Sequence, residues 1–295
     1  MIATAGRSIL ILAPHPDDEI VACGIAAMRA IAAGAQLFVL HLTTGVPGAA
    51  EFWPWQRSSH DGRVWRRQDE ALGAARLLGL ETIGFRDTPA RRLRFALDMA
   101  ARDIAAAIAA CGAEVLWVPA FEGAHQDHDG ANALAACVAG AVPVWEFAAY
   151  NFTGGRIGAN RFAAARGGEI AIDATPSEAQ RKRAALACYA SERGNLGHIG
   201  AEREAFRPLP AHDYGRKPHP GRLFRERFHW IPIRHPRVDF DRSGDIYRDL
   251  AMWTSARQPR RPAALGDGPG GEPGQADREL AGALDQAKRQ RAVRR

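Results

Sequence analysis

The chain has 295 residues, 46% of them hydrophobic, and a formal net charge of +6. Residues 256–295 contain nine Lys/Arg and five Asp/Glu, so they carry four of the six excess charges and leave the rest nearly neutral. A basic folded face of the kind that binds nucleic acid is therefore not expected. The four cysteines are widely spaced and form no C-x-x-C pair, which predicts reduced thiols. Without a leader before the first strand or an apolar run that could cross a bilayer, we expect a cytoplasmic protein.

Apolar runs and helical periods alternate along the first half of the chain. Strands are predicted at 8–12, 36–42, 82–85, 114–118 and 142–149, and helices at 20–33, 63–78, 97–111 and 129–140. This alternation predicts an α/β fold with a Rossmann-like, mostly parallel sheet and helices on both faces. The pattern is mixed after residue 150, where we predict a strand at 169–173, a helix at 176–189 and a late strand at 228–233.

The composition also suggests a domain boundary. Residues 1–255 are expected to form one domain. Residues 256–295, rich in Pro, Gly and Arg, have too little apolar content to fold alone and are expected to be a disordered basic tail.

An H-P-D-D-E motif at residues 15–19 directly follows the first predicted strand. Four ionisable side chains within five positions at the end of a buried strand repel one another unless a cation offsets the repulsion. His15 offers a nitrogen ligand and Asp18 an oxygen ligand, which suits a divalent metal ion. The alternative is that the acidic residues only cap the next helix. That alternative does not explain the histidine or the two prolines that flank it.

An H-Q-D-H motif at residues 125–128 follows the strand predicted at 114–118. Ligand sites in open α/β sheets gather beyond the carboxyl ends of the strands, so the two motifs are expected to converge. The third metal ligand is then His128. Asp129 is interpreted as the N-cap of the helix that follows.

The remaining polar residues of the two motifs receive catalytic or supporting roles. Asp17 lies next to a ligand and would take a proton from the water that the ion binds. His125 would stabilise the oxyanion or protonate the leaving nitrogen. Asp127 would orient an imidazole from behind.

Two further segments are interpreted from their aromatic residues. Residues 43–60 form a long loop containing Trp53 and Trp55, and we expect this loop to line the pocket. The alternative is that its tryptophans pack onto the surface. In the helix at 63–78, the apolar period places Trp65 and Leu72 on or near the buried face.

Taken together, the H-P-D-D-E and H-Q-D-H motifs resemble those of the zinc-dependent N-deacetylases of the PIG-L and LmbE-like family. Arg67-x-x-Glu70, with Ala74 and Leu78-Gly79, resembles the R-x-x-E helix of that family, so the resemblance covers roughly residues 9–233. It implies an LmbE-like fold and removal of an acetyl or other acyl group from the nitrogen of an amino sugar such as an N-acetylglucosamine conjugate. The implied cofactor is zinc, with iron(II) as the alternative ion.

The resemblance also implies roles for individual residues. It makes His15, Asp18 and His128 the metal ligands, Asp17 the general base, and His125 the electrostatic or acid partner. Arg67 would bind substrate hydroxyls or a phosphate, or would instead form a salt bridge with Glu70.

Other function classes are compatible with the same residues. A metal-dependent amidase acting on a non-sugar amide, such as a thiol conjugate, would need the same site. A magnesium phosphohydrolase is disfavoured because magnesium prefers oxygen ligands and two of the predicted ligands are histidines. A non-catalytic binding protein would require a vestigial site, yet every position is filled. The expected partner is a small-molecule amide substrate.

Overall fold

The computed structural model of the protein describes residues 7–233, 235–236 and 238–257. Of the tail predicted at 256–295, all but residues 256 and 257 lie outside the described residues. The strands are β1 Ser8–Ala13, β2 Gln36–His41, β3 Glu81–Phe85, β4 Val115–Pro119, β5 Val144–Phe147, β6 Tyr150–Asn151, β7 Gly158–Ala159, β8 Ile170–Asp173 and β9 Arg203–Pro208. The helices are α1 Asp18–Ala32, α2 His60–Leu78, α3 Leu97–Cys111, α4 Gln126–Val138, α5 Pro176–Ala187 and α6 Ser243–Ser255.

Seven strands form one sheet in the order β3-β2-β1-β4-β5-β9-β8. The first five are parallel to one another, and β9 runs antiparallel to both of its neighbours. The sheet is therefore mostly parallel, as the alternation of elements in the sequence predicts. The strands β6 and β7 form a separate two-stranded sheet.

Helices cover both faces of the large sheet. Alternate residues of β1 point to opposite sides: Ile9 and Ile11 join a core formed with α1, α2 and α5, whereas Leu10 and Leu12 join a core with α3, α4 and α6. A strand buried on both faces reads as a continuous apolar run, which is why β1 is easy to find in the sequence. No helix in the described part of the chain is both long and apolar enough to cross a lipid bilayer.

One prediction for the last third of the chain is wrong, and two elements there, β9 and α6, have no counterpart among the predictions. Residues 228–230 form a turn in place of the predicted late strand, and Trp230 is exposed. The strand that joins the sheet instead is β9, where Glu204 and Arg207 occupy buried positions. Because charged residues stand where a strand would normally show apolar ones, the period of β9 is hidden. Helix α6 was not predicted, although Ile246 and Leu250 pack it into the core.

The buried face of α2 also differs from the prediction. Trp65 is 67% exposed and Leu72 is exposed as well. The helix buries Arg67 together with small residues, namely Ala71, Ala74 and Ala75, and with Leu78. Alanines allow α2 to lie close to the sheet, and the buried arginine points to the polar site described next.

Candidate metal centre

The site lies where the sheet changes its direction of winding. The chain passes from β1 outward to β2 and β3, then returns to the other side of β1 as β4. Because β1 and β4 are parallel and in register, with Ile11 opposite Trp117, their carboxyl ends lie side by side. The loops that follow them therefore meet, which is the usual place for a ligand site in this class of sheet.

Three buried side chains from the loop after β1 and from the first turns of α1 and α4 converge. His15 Nδ1 lies 3.2 Å from Asp18 Oδ2, and His128 Nε2 lies 3.1 Å from Asp18 Oδ1. Neither ring nitrogen of His128 has a partner with hydrogen-bond geometry among the described residues, although the ring is fully buried. The candidate ligand atoms of His15, Asp18 and His128 all lie within 4.8 Å of one another. The structure thus contains a two-histidine, one-carboxylate cluster that fits a divalent metal ion.

The charges around the cluster also favour a cation. Burial lowers the pKa of His15, but the hydrogen bond to Asp127 and the nearby Asp18 carboxylate outweigh burial and raise that pKa to about 10. Burial raises the pKa of Asp18, but His128 and His15 more than compensate and hold it well below its usual range. The cluster therefore keeps a carboxylate ionised and attracts a positive charge to the point where the ligand atoms meet.

Asp127 contacts His15 at Nε2, the ring nitrogen that does not face Asp18. His15 Nε2 lies 3.1 Å from Asp127 Oδ2, and the backbone N–H groups of Arg91 and Leu93 donate to the same carboxylate at 2.6 and 3.2 Å. Arg91 has a φ of +71°, so the loop adopts a left-handed conformation in making this contact. These contacts use the lone pairs of Asp127 and leave Nδ1 of His15 facing the Asp18 carboxylate.

His125 caps helix α4. Its Nδ1 accepts the backbone N–H of Asp127 at 3.1 Å, so the helix begins at Gln126 and the predicted start at Asp129 is wrong. Asp129 instead accepts from Gly123 N and from Tyr247 Oη at 3.0 and 2.8 Å. Because Nδ1 of His125 is an acceptor, we assign its proton to Nε2. Burial and the charge of His15 lower its pKa well below 6.5, which keeps this ring neutral.

Asp17 lies beside the cluster and pairs with Arg67. Arg67 Nη2 donates to Asp17 Oδ2 at 3.2 Å, and Arg67 Nη1 lies 2.9 Å from Glu192 Oε1. The alternative salt bridge with Glu70 does not form, since Glu70 accepts from the N–H and hydroxyl groups of Ser191. Arg67 therefore links α2 to Asp17, and it does not pair with Glu70 of its own helix.

Gly45 makes room for this guanidinium. Its φ is +68°, and a Cβ on it would come within 2.9 Å of Arg67 Nη2 and 2.6 Å of Pro16 Cδ. A larger residue would be strained and would also push Arg67 away from Asp17. Burial raises the pKa of Asp17, and the Arg67 guanidinium opposes that rise. The carboxyl group is consequently a stronger base than an exposed aspartate while remaining paired.

Glu19 belongs to the motif but lies behind the cluster. Its carboxylate accepts a hydrogen bond from the hydroxyl of Tyr189, and both residues are buried. Burial raises the pKa of Glu19 to about 8. It does not line the cleft, so its contacts support the first turn of α1.

The cluster opens into a cleft of about 430 Å³. The predicted loop at 43–60 lines it through Gly45, Val46, Pro47 and Phe52. Trp53 and Trp55 do not line it; they stack on each other, and Trp55 is 74% exposed. The loop therefore lines the cleft, as expected, although its tryptophans lie outside the cleft, as the alternative had it.

The other wall of the cleft is formed by residues for which the sequence predicts no role. They are Tyr150, Glu192, His198, Phe224 and Arg227. The ring centroid of Tyr150 lies 5.4 Å from that of His128 and 4.5 Å from that of Phe224. These residues lie in loops, a short strand and single-turn 3-10 helices without a period, so no local pattern could have identified them.

Comparisons with known proteins agree with this geometry. Residues 10–139 match the model of the PIG-L family, described as GlcNAc-PI de-N-acetylase. The predicted resemblance is therefore confirmed over that segment, which includes both motifs. No curated protein matches the chain in sequence.

Solved structures share the fold of this protein. A deacetylase–teicoplanin complex is 17% identical with a TM-score of 0.54, and the match covers 68% of this chain and 97% of that chain. The A40926 pseudoaglycone deacetylase is 18% identical with a TM-score of 0.54, over 70% and 99%. The zinc-inhibited form of teicoplanin deacetylase Orf2 is 16% identical with a TM-score of 0.50, over 68% and 97%. At these identities the matches establish the α/β fold.

Proposed function

We propose that this protein is a metal-dependent N-deacetylase that removes an acetyl or similar acyl group from the amide nitrogen of an amino sugar or glycoconjugate. The observation that supports it most is the convergence of His15, Asp18 and His128 on one point beside Asp17. The PIG-L match adds the reaction class, since that family is described by a de-N-acetylase.

His15 Nδ1, the Asp18 carboxylate and His128 Nε2 would hold the ion, and zinc suits this donor set, with iron(II) as the alternative. When bound, such an ion would supply Lewis-acid chemistry, polarising the amide carbonyl and acidifying water. Asp127 contributes by fixing the ring of His15 in the orientation that leaves Nδ1 available.

Asp17 is the proposed general base. Its carboxylate would take a proton from the attacking water as the oxygen adds to the carbonyl carbon. The protonated Asp17 would then return that proton to the amide nitrogen as the carbon–nitrogen bond breaks, giving acetate and the amine. Arg67 holds the base in place through Asp17 Oδ2.

His125 is the proposed hydrogen-bond donor to the developing oxyanion. Its Nδ1 is occupied by the backbone of Asp127, and its Nε2 makes no hydrogen bond with any described residue. A neutral ring with Nε2–H can donate a hydrogen bond from the wall of the cleft. Of the two roles predicted for this residue, protonation of the leaving nitrogen is less suited to it because its pKa is low.

The test is Asp17→Asn in metal-loaded protein, assayed by acetate release from a panel of N-acetylglucosamine conjugates. Asparagine keeps the shape but cannot accept the proton, so turnover should fall by about 10²- to 10⁴-fold. The metal content per chain, measured by elemental analysis, should stay the same because the ligands are intact.

Asp69→Asn is the matched control, since Asp69 is exposed on α2 outside the cleft. It should leave both turnover and metal content unchanged. Full activity in Asp17→Asn would remove this residue from the mechanism. A metal-loaded protein that releases acetate from no conjugate would refute the proposed sugar N-deacetylase.

A further inference from the structure

The outer part of the cleft carries more positive charge than its own carboxylates balance. Among the described residues, six arginines line the cleft against four aspartates and glutamates, and a bound divalent cation would add further positive charge. The arginines are Arg63, Arg66, Arg67, Arg91, Arg225 and Arg227. Which of them are already paired decides whether the excess charge is available to a ligand.

Three of these arginines are engaged with the protein. Arg67 pairs with Asp17 and Glu192, and Arg91 pairs with Glu51 at 3.1 Å. Arg225 donates to the hydroxyl of Ser243 and to a backbone carbonyl, and its guanidinium lies over the ring of Tyr247. These residues build the walls.

The other three have no carboxylate partner among the described residues. Arg63 donates only to the hydroxyl of Ser59 and lies over Phe52. Arg66 makes no ion pair and no hydrogen bond with any residue that the structure describes. Arg227 donates to the carbonyl of Phe224 and stacks on that ring, with the guanidinium carbon 3.4 Å from the ring centroid. Three guanidinium groups in one cleft thus keep most of their donors available.

Arg227 is the most informative of the three because it is partly buried. Burial lowers its pKa, as expected for a cation that has lost water without gaining a carboxylate. A guanidinium held flat against an aromatic ring presents its N–H edge in a fixed plane, and that edge matches a carboxylate or a phosphate.

Contacts connect both walls to the metal centre. On one wall, Arg67 touches Asp17, Arg66 is its neighbour on α2, and Arg63 lies one turn earlier. On the other wall, Tyr150 packs on His128 and Phe224 packs on Tyr150, followed by Arg227. A substrate with its amide at the cluster would therefore extend outward between the unpaired arginines.

We propose that the cleft recognises a substrate with an anionic group, a phosphate or a carboxylate, bound by Arg63, Arg66 and Arg227 on the side of the sugar away from the scissile amide. This inference rests on the proposed deacetylase function for the direction of the substrate. The anion site itself rests only on the arginines. Glucosamine with a neutral substituent would use the same metal centre but leave these three cations unpaired.

The test uses three phenyl glucosaminides that differ only at the para position, which carries a phosphate, a carboxylate or hydrogen. An N-methanesulfonyl group replaces the acetyl group, so that binding to the metal-loaded full chain can be measured by calorimetry without turnover. The charged compounds should bind about 10- to 100-fold more tightly than the neutral one, as expected for hydrogen bonds between charged groups. The ratio between the affinities of the charged and neutral compounds should decrease as the NaCl concentration is raised. The better of the two charged compounds identifies the anion.

Arg66→Gln and Arg227→Gln should each reduce the affinity ratio of charged to neutral compounds by about tenfold. Arg227→Lys should reduce that ratio less than Arg227→Gln does. Unchanged binding of the neutral compound in the Gln variants shows that the cleft is still folded. Arg76→Gln, on the exposed side of the same helix and outside the cleft, is the matched control and should change nothing.

Equal binding of charged and neutral compounds, or no binding of any, would overturn the proposal, as would Gln variants that retain the full affinity ratio. Arginine-dependent binding of the charged compounds, together with no acetate release from the corresponding N-acetyl compounds, would refute the proposed deacetylase function while leaving the anion site intact.

Discussion

Helix α1 contacts two clusters of buried charge that differ in how completely they are satisfied. In its middle, Lys182 Nζ lies 2.7 Å from Glu204 Oε1 and donates to the carbonyl of Val21 at 2.9 Å. Glu204 also accepts the backbone N–H groups of Ile25 and Ala26 at 2.8 and 2.9 Å. Both side chains are fully buried, and each carboxylate oxygen has a donor.

The cluster at the first turn of α1 is different. Asp18 accepts the backbone N–H of His15, but both ring nitrogens of the buried His128 lack a hydrogen-bond partner within the described part of the chain, and Asp17 lines the open cleft. Buried charge is common to the two clusters and therefore does not by itself indicate function. The distinguishing features are lone pairs that point at a shared position and access from solvent.

The largest difference between the clusters should appear when a ligand atom is removed. His128→Ala deletes one of the three atoms that would hold the ion, so metal content should fall to background and acetate release should fall with it. Elemental analysis and the acetate assay measure the two effects. His229→Ala, at an exposed position outside the cluster, is the control and should keep both. Retention of one metal per chain in His128→Ala would contradict the assigned ligand set.

Removing one partner of the Lys182–Glu204 pair should lower the free energy of unfolding but leave the metal content unchanged. Lys182→Met leaves the Glu204 carboxylate buried without its counter-charge, so the free energy of unfolding should fall by about 3–5 kcal/mol. Urea unfolding measures this change, and metal content in the folded protein should remain normal.

The next residue of the same helix provides the matched control for that variant. Arg183 pairs with Glu202 at the surface, where both side chains are more than half exposed. Arg183→Met should therefore cost no more than about 1 kcal/mol. Equal losses of unfolding free energy in the two variants would show that the buried ion pair contributes no more to stability than the exposed one.

A smaller effect on metal binding than that of His128→Ala is expected at Asp127, which would act on the ion through His15. Asp127→Asn retains one acceptor for the ring or the backbone but loses the charge, so metal affinity should fall by about 10- to 100-fold. Competition with a chromophoric chelator measures this affinity. An unchanged affinity, alongside the loss expected for His128→Ala, would restrict Asp127 to holding the loop around Arg91.

The neighbouring arrangement of the two motifs could be predicted because it depends on short-range patterns. An apolar run followed by H-P-D-D-E locates the end of β1, and a second run before H-Q-D-H locates the end of β4. Parallel strands bring their carboxyl ends to one edge, so the convergence of His15, Asp18 and His128 follows without any knowledge of the distances.

The pairing of Arg67 could not be predicted in the same way. Its partners Asp17 and Glu192 lie far from it in the chain, and the nearer Glu70 was the more obvious candidate. The period of α2 suggested that Trp65 would be buried, but the ion pair with Asp17 draws the arginine side of the helix toward the site and leaves that tryptophan in solvent.

The sequence by itself determined the parallel half of the sheet and the residues that meet at its edge, because local periodicity and motif position are sufficient for both. Only the tertiary structure decided which nitrogens of those histidines are occupied, which arginines stay unpaired, and that β9 carries buried charges into the sheet. Those outcomes depend on contacts between segments that are distant in the chain. Whether a polar atom is satisfied is a property of its neighbours in space, and residue order does not encode it directly.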